Sequence, residues 1–176
     1  MDSKALKSFD LLENVIFLKK TPLFSAVHTS ELRAVAAVVE EFTVEAGGEL
    51  VKESDPGDCV YIIKDGTVRI TKKTADNRTL DLAELSPGES FGEMALFDDE
   101  ARSASAVAQT KCSLLRIKRD DLIDVILEYP MIAIEMLRIF VRRLRKSNAR
   151  VEALSAGRPK GEEKHSQGDA SPYGNK

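Results

Sequence analysis

Between residues 42 and 118 the chain alternates short β-branched runs with Gly, Asp and Pro turns, and this pattern narrows the possible folds most. The runs fall at 49–52, 59–64, 67–72, 79–85, 103–108 and 113–118. Each is too short for a stable helix and is bounded by residues that suit turns. Asp65-Gly66 lies between two of them, and that dipeptide favours the backbone twist of a tight hairpin. In the following run Val68 and Ile70 alternate with Arg69 and Thr71, so one face of the strand is apolar. Many short antiparallel strands with regular turns imply a sandwich, a barrel or a jelly roll.

Helices flank this region. Leu6, Phe9, Leu12 and Ile16, with Leu11 and Val15 less regularly, are spaced for an amphipathic helix over 3–19. Thr21-Pro22 ends it, because the residue before proline avoids helical angles. A second short helix, rich in Ala and Leu, is predicted over 31–39. Beyond residue 118 the strand pattern stops. A short helix is predicted over 120–127, Tyr129-Pro130 restarts the chain, and a long helix runs over 131–154. From residue 155 to 176 the chain holds Gly, Pro, Ser and charges, with Tyr173 its only aromatic, so disorder is predicted there.

A chain of 176 residues with 43% hydrophobic residues suits one domain with appendages. Its formal charge of −3 argues against a surface built throughout for nucleic acid. Cys59 and Cys112 lie far apart with no metal-ligand spacing, and read as buried or half-buried free thiols. His28 and His165 each stand alone, so neither a metal site nor a catalytic set is legible. No stretch approaches a membrane span or a secretory signal. A soluble cytoplasmic protein without enzymatic activity is the expectation.

The segment Ser90-Phe91-Gly92-Glu93-Met94-Ala95-Leu96, followed by Arg102-Ser103-Ala104, carries the chemistry. A guanidinium fork pairs with phosphate oxygens in bidentate fashion, and small residues let backbone N–H groups approach the same anion. A carboxylate is acceptor-only, so Glu93 suits a sugar hydroxyl. Taken alone, Glu93 and Arg102 are equally accounted for by a structural ion pair.

The pattern Phe91-Gly92-Glu93-Met94-Ala95-Leu96 with Arg102-Ser103-Ala104 resembles the phosphate-binding cassette of the cyclic-nucleotide-binding domain family. Other segments are similar to that family too: Leu18-Lys19-Lys20-Thr21-Pro22-Leu23-Phe24, Glu45-Ala46-Gly47-Gly48-Glu49, Asp55-Pro56-Gly57-Asp58 and Tyr61-Ile62-Ile63-Lys64-Asp65-Gly66. The resemblance covers roughly residues 18 to 154. It implies an α+β fold in which an antiparallel β-roll (a double-stranded β-helix or jelly roll) is flanked by N-terminal helices and a long C-terminal helix. The corresponding domain plan is 1–20 N-terminal helix, 21–118 β-roll core, 119–154 hinge and long helix, and 155–176 disordered tail.

By position in the motif, Arg102 grips a cyclic phosphate and Glu93 accepts from the ribose 2′-hydroxyl. Backbone N–H groups around Ala95 cap the phosphate, and Gly92 gives room for the ribose. Met94, Ser103 and Ala104 complete the cassette's share of the ligand site. Ile70, Leu82 and Leu85 fall where the family lines its roll, although core packing accounts for these three as well. Ser103 bears on the choice between cAMP and cGMP, and cAMP is favoured. Many members carry Pro where this chain has Ala101, which leaves φ less restrained and implies a looser loop and weaker binding.

On the long helix Ile134, Leu137, Val141, Leu144, Asn148 and Val151 fall at spacings of three and four, a coiled-coil seam with one polar register-setting position. Arg142-Arg143-Leu144-Arg145-Lys146-Ser147-Asn148 resembles the dimer helix of the family's bacterial activators, which implies a homodimer. In them two neighbouring polar residues touch the base, and Ser147 and Asn148 match those places. Arg143 is a further candidate for the nucleotide. The other account has this helix packing on its own roll with Asn148 at the surface. Arg138, Arg142 and Arg145 form one basic flank, and Arg143, Lys146 and Arg150 the other; they are either solvated or face an acidic partner or anionic lipid.

A stand-alone cyclic-nucleotide-binding module that moves its C-terminal helix, and acts through a protein effector the sequence does not identify, is therefore the leading expectation. Direct DNA binding is not expected, since residues 156–176 lack the periodicity of a helix-turn-helix. The alternative is a scaffold or protein-interaction domain of the same fold with an empty or degenerate pocket.

Overall fold

The computed structural model describes residues 3–97 and 100–156. They divide into two compact units, one reaching Phe140 and the other starting at Val141. Helix α1 spans Ser3–Lys20 and α2 Thr29–Ala37. Eight strands follow: β1 Glu40–Val44, β2 Glu49–Val51, β3 Cys59–Asp65, β4 Val68–Lys73, β5 Thr79–Leu85, β6 Ser90–Phe91, β7 Ser105–Ala108 and β8 Cys112–Lys118. A short 3-10 helix, Glu93–Leu96, interrupts them between β6 and β7. Helix α3 is Arg119–Glu128 and α4 is Met131–Ala156. The expected disorder of 155–176 falls, beyond Ala156, outside the described residues.

The strands make two four-stranded antiparallel sheets, ordered β1-β8-β3-β6 and β2-β7-β4-β5. The architecture is thus the expected α+β antiparallel β-roll with N-terminal helices and a long C-terminal helix. Tyr61, Ile63, Phe91 and Leu114 of the first sheet pack against Val51, Val68, Ala106 and Ala108 of the second. The other face of the first sheet, through Val60, Ile62, Leu115 and Ile117, is buried under Val15, Leu18, Leu32, Leu122, Ile132 and Met136 of the helices. This explains why Cys59-Val60-Tyr61-Ile62-Ile63 is an unbroken apolar run: all five are buried, since β3 has no solvent face. Burying each large aliphatic side chain here contributes about 1.5–3 kcal/mol.

The Asp65-Gly66 turn is present but closes no hairpin: β3 pairs with β6 and β8 and β4 with β5 and β7, so the turn carries the chain from the first sheet into the second. Gly66 has φ +90°, and a Cβ there would lie 2.5 Å from the Lys111 carbonyl oxygen and 2.7 Å from Cys112 Sγ. Both the backbone angle and the close strand demand glycine.

The sequence reading missed two strands. In β1, Glu40 lies opposite Arg116 and accepts hydrogen bonds from that guanidinium, and its other oxygen pairs with Lys118 at 3.0 Å. Charge paired across strands thus replaces the apolar signal. The other, β6, is only two residues long.

Helix α1 is present, but the apolar stripe read from sequence is not the one it buries. Val15 and Leu18 are buried and Leu11 is partly buried against the same core, while Phe9, Leu12 and Ile16 are exposed. Leu11, Val15 and Leu18 also recur at three- and four-residue spacing, and only the position of α2 selects between the two faces.

Candidate functional site

The cassette starts from a rigid floor. Phe91 stacks on Tyr61 with ring centroids 5.2 Å apart, and Tyr61 meets Phe42 edge-on at 6.1 Å. Burial raises the Tyr61 phenol above its ordinary pKa. Gly92 then turns the chain with φ +78° into the 3-10 helix that carries Glu93.

Arg102 returns to this point from the far side of the loop. Its backbone is clamped by the early turn: the Arg102 N–H donates to the Asp55 carbonyl at 2.9 Å, and its own carbonyl accepts from Ser54 N–H at 2.9 Å. Ala101 lacks proline's restraint on φ, but these two bonds hold the next residue. The Arg102 side chain is only 6% exposed. Its Nη1 donates to the Gly92 carbonyl at 3.0 Å and its Nη2 to the Cys59 carbonyl at 2.8 Å. Asp58 Oδ1, on an exposed side chain, is 3.9 Å from Nη2. A buried guanidinium is tolerable only when its donors are met, and here two carbonyls meet part of that need.

This packing gives Gly92 a nearer reason than room for a ribose. A Cβ at residue 92 would lie 2.5 Å from Arg102 Nη1 and 3.2 Å from the Cys59 carbonyl oxygen. The Cys59 thiol itself is pushed up to about 11 by burial and by Asp58. It therefore stays protonated, and residue 59 serves the site through its backbone. Both Cys59 and Cys112 are buried and free.

Above Arg102 opens a cavity of about 330 Å³, within the range of small-molecule sites. Ile70, Leu85, Gly92, Glu93, Met94, Arg102, Ser103 and Ala104, all singled out in the sequence, line it together. Ser103 Oγ is 3.9 Å from Met94 Sδ, and both side chains are exposed. One residue singled out with them does not line it. Leu82 is the extra residue of a β-bulge, since Ile70 pairs with Ala83 and Thr71 with Asp81, and it is 49% exposed. Ala95 is in the 3-10 helix, and its side chain lies outside the described residues. Arg143, Ser147 and Asn148 belong to the second unit and are described only on their own helix, where Ser147 and Asn148 are exposed.

Val51, Ser90, Phe91, Glu100 and Ala101 also line the cavity and were not read as site residues. Phe91 and Glu100 were visible inside the cassette, whereas Val51 arrives only because β2 pairs with β7. Among the described residues no group of three His, Cys, Asp or Glu could hold a metal ion, and no helix is long and apolar enough to cross a membrane.

Residues 41–129 match the model of the cyclic nucleotide-binding domain. The chain is 32% identical over 138 residues to the cyclic AMP receptor protein of Thermus thermophilus, covering 78% of this chain and 64% of that protein. It is 33% identical over 104 residues to the cAMP-dependent protein kinase regulatory subunit of Aspergillus fumigatus, covering 59% of this chain and 24% of the relative. The chain thus spans less than two thirds of either. The crystal structure of the N-terminal domain of a Streptomyces coelicolor transcriptional regulator superposes with a TM-score of 0.66 at 35% identity, covering 76% of this chain and 95% of that one. Family match, β-roll and cassette geometry agree, and the chain belongs to the cyclic nucleotide-binding domain family.

Proposed function

We propose that this chain is a regulatory module, not an enzyme, that binds a cyclic mononucleotide in the 330 Å³ cavity and prefers cAMP to cGMP. The observation that carries this reading is the buried Arg102, clamped at its backbone and facing the same cavity as Glu93. Two of its five N–H donors go to carbonyls, and the remainder provide the means to hold a cyclic phosphate. Glu93 takes the ribose 2′-hydroxyl. Met94, Ser103 and Ala104 border the ligand, with Ile70 and Leu85 as the apolar wall. The preference for cAMP draws on relatives named for that nucleotide; the single Ser103 hydroxyl weighs only about 0.5–1.5 kcal/mol in the balance.

The output is a shift of α4. Phe97, at the end of the 3-10 helix, meets Phe140 of α4 edge-on at 5.9 Å. A cassette drawn toward its ligand therefore pulls on an aromatic contact to that helix, and the shift is limited by the ligand's differential affinity for the two arrangements. Helix α4 makes a homodimer. Ile134, Leu137, Val141 and Leu144, four of the six seam positions read from sequence, are all exposed, while Ile132, Met136 and Ile139 are buried. The module works in the cytoplasm and acts on a protein effector.

Unfolding with saturating cAMP, cGMP and 2′-deoxy-cAMP, on the wild type and Arg102→Ala, tests the pocket. A ligand at about 100 times its dissociation constant adds about 2.7 kcal/mol. Stabilisation by cAMP that is lost in Arg102→Ala and weakened by the 2′-deoxy analogue is expected. No response to any nucleotide would favour the scaffold with an empty pocket. For the dimer, Leu144→Asp with Asn148→Ala is expected to halve the sedimenting mass, and a monomeric wild type refutes the seam.

A further inference from the structure

Among the described residues, three ionisable side chains line the cavity: Arg102, Glu93 and Glu100. Their formal sum is one negative charge. Arg102 and Glu93 have roles in the reading above; Glu100 has none. It is exposed and ends the acidic run Asp98-Asp99-Glu100, two residues before the arginine that faces the anion. A carboxylate placed there cannot donate a hydrogen bond to a phosphate oxygen, and it repels one. That looks adverse for any anionic ligand until ligands of different charge are compared.

A cyclic phosphodiester carries one negative charge. A terminal phosphomonoester carries close to two at neutral pH, because its second pKa is near 6. One guanidinium, already shared with two backbone carbonyls, matches the first. The second brings an additional charge that finds no other cation among the described residues lining the cavity, and meets Glu100 there instead. Resting on the proposed nucleotide site, we infer that Glu100 is a selectivity residue, which sets the cavity for singly charged cyclic nucleotides and against 5′-monophosphates of the same base. Repulsion is a standard means of specificity: a group that costs the wanted ligand a little and the unwanted one more widens the gap between them. Glu100 is exposed, so water and salt attenuate the effect, and a several-fold discrimination is its proper scale.

The test is competition of cAMP and 5′-AMP against a fluorescent cAMP analogue, on the wild type, Glu100→Gln and Glu84→Gln. Glu84 is an exposed carboxylate of β5 that does not line the cavity, and it controls for net charge. The cAMP-to-AMP affinity ratio is expected to narrow about three-fold in Glu100→Gln at low ionic strength and to narrow less at high salt. In Glu84→Gln it should stay at the wild-type value. An unchanged ratio in Glu100→Gln, or an equal change in Glu84→Gln, overturns the inference while leaving the nucleotide site standing. Failure of the fluorescent analogue to bind the wild type overturns the proposed site and this inference with it.

Discussion

Replacing Gly92 with Ala isolates the close approach on which the site is built. Gly92 and Gly88 share a backbone constraint, with φ +78° and +89°, but not an environment. A Cβ at Gly88 meets nothing within 4 Å, whereas one at Gly92 lies 2.5 Å from Arg102 Nη1. The left-handed angle alone costs a non-glycine residue about 1–2 kcal/mol, and both alanines share that cost. Gly92→Ala must also displace the guanidinium from the Gly92 carbonyl. A hydrogen bond to a charged group contributes about 1.5–3 kcal/mol, so Gly92→Ala should be about 2.5–5 kcal/mol less stable than wild type. Gly88→Ala should lose only the first part. Urea unfolding of both variants without ligand measures the difference. In the Arg102→Ala background the excess cost of Gly92→Ala should largely vanish, because the colliding atom is gone. Equal destabilisation by the two alanines, or an excess that survives Arg102→Ala, would refute the argument.

Two further outcomes follow from the core and the thiols. Ile62→Ala, in the sheet buried on both faces, should cost about 2–5 kcal/mol in the same assay, and a loss below 1 kcal/mol would contradict the burial. The Cys59 thiol, raised from 9.0 to about 11, is neutral in the fold at pH values where the unfolded thiol already ionises. Its contribution to stability is thus complete below pH 9 and is lost as pH rises through about 11. Relative to Cys59→Ala, the wild type should lose stability over that window, and parallel pH profiles would remove the assignment.

The cassette was legible because its chemistry is contiguous. Phe91-Gly92-Glu93 and Arg102-Ser103-Ala104 fall within one loop, so their residue types and spacing carry the signal without knowledge of the fold. The six read strands and the Asp65-Gly66 turn were legible for a similar reason, since alternation and turn chemistry are properties of neighbours in the chain; that the turn crosses between sheets and closes no hairpin was not, because strand pairing is decided by remote partners. Residues whose partners are remote were hidden. Cys59 enters the site by a carbonyl 43 positions from Arg102, and a main-chain acceptor leaves no trace in residue type.

Sequence by itself determined the kind of fold, the loop that meets a ligand and the two ionisable groups it presents, because local periodicity and side-chain chemistry survive translation along the chain. Tertiary structure alone decided which face of α1 is buried, how a bulge at Leu82 takes that residue off the cavity wall, and why Gly92 must be glycine. Those outcomes depend on which distant surface arrives opposite a residue, and packing assigns that only when the whole core closes at once.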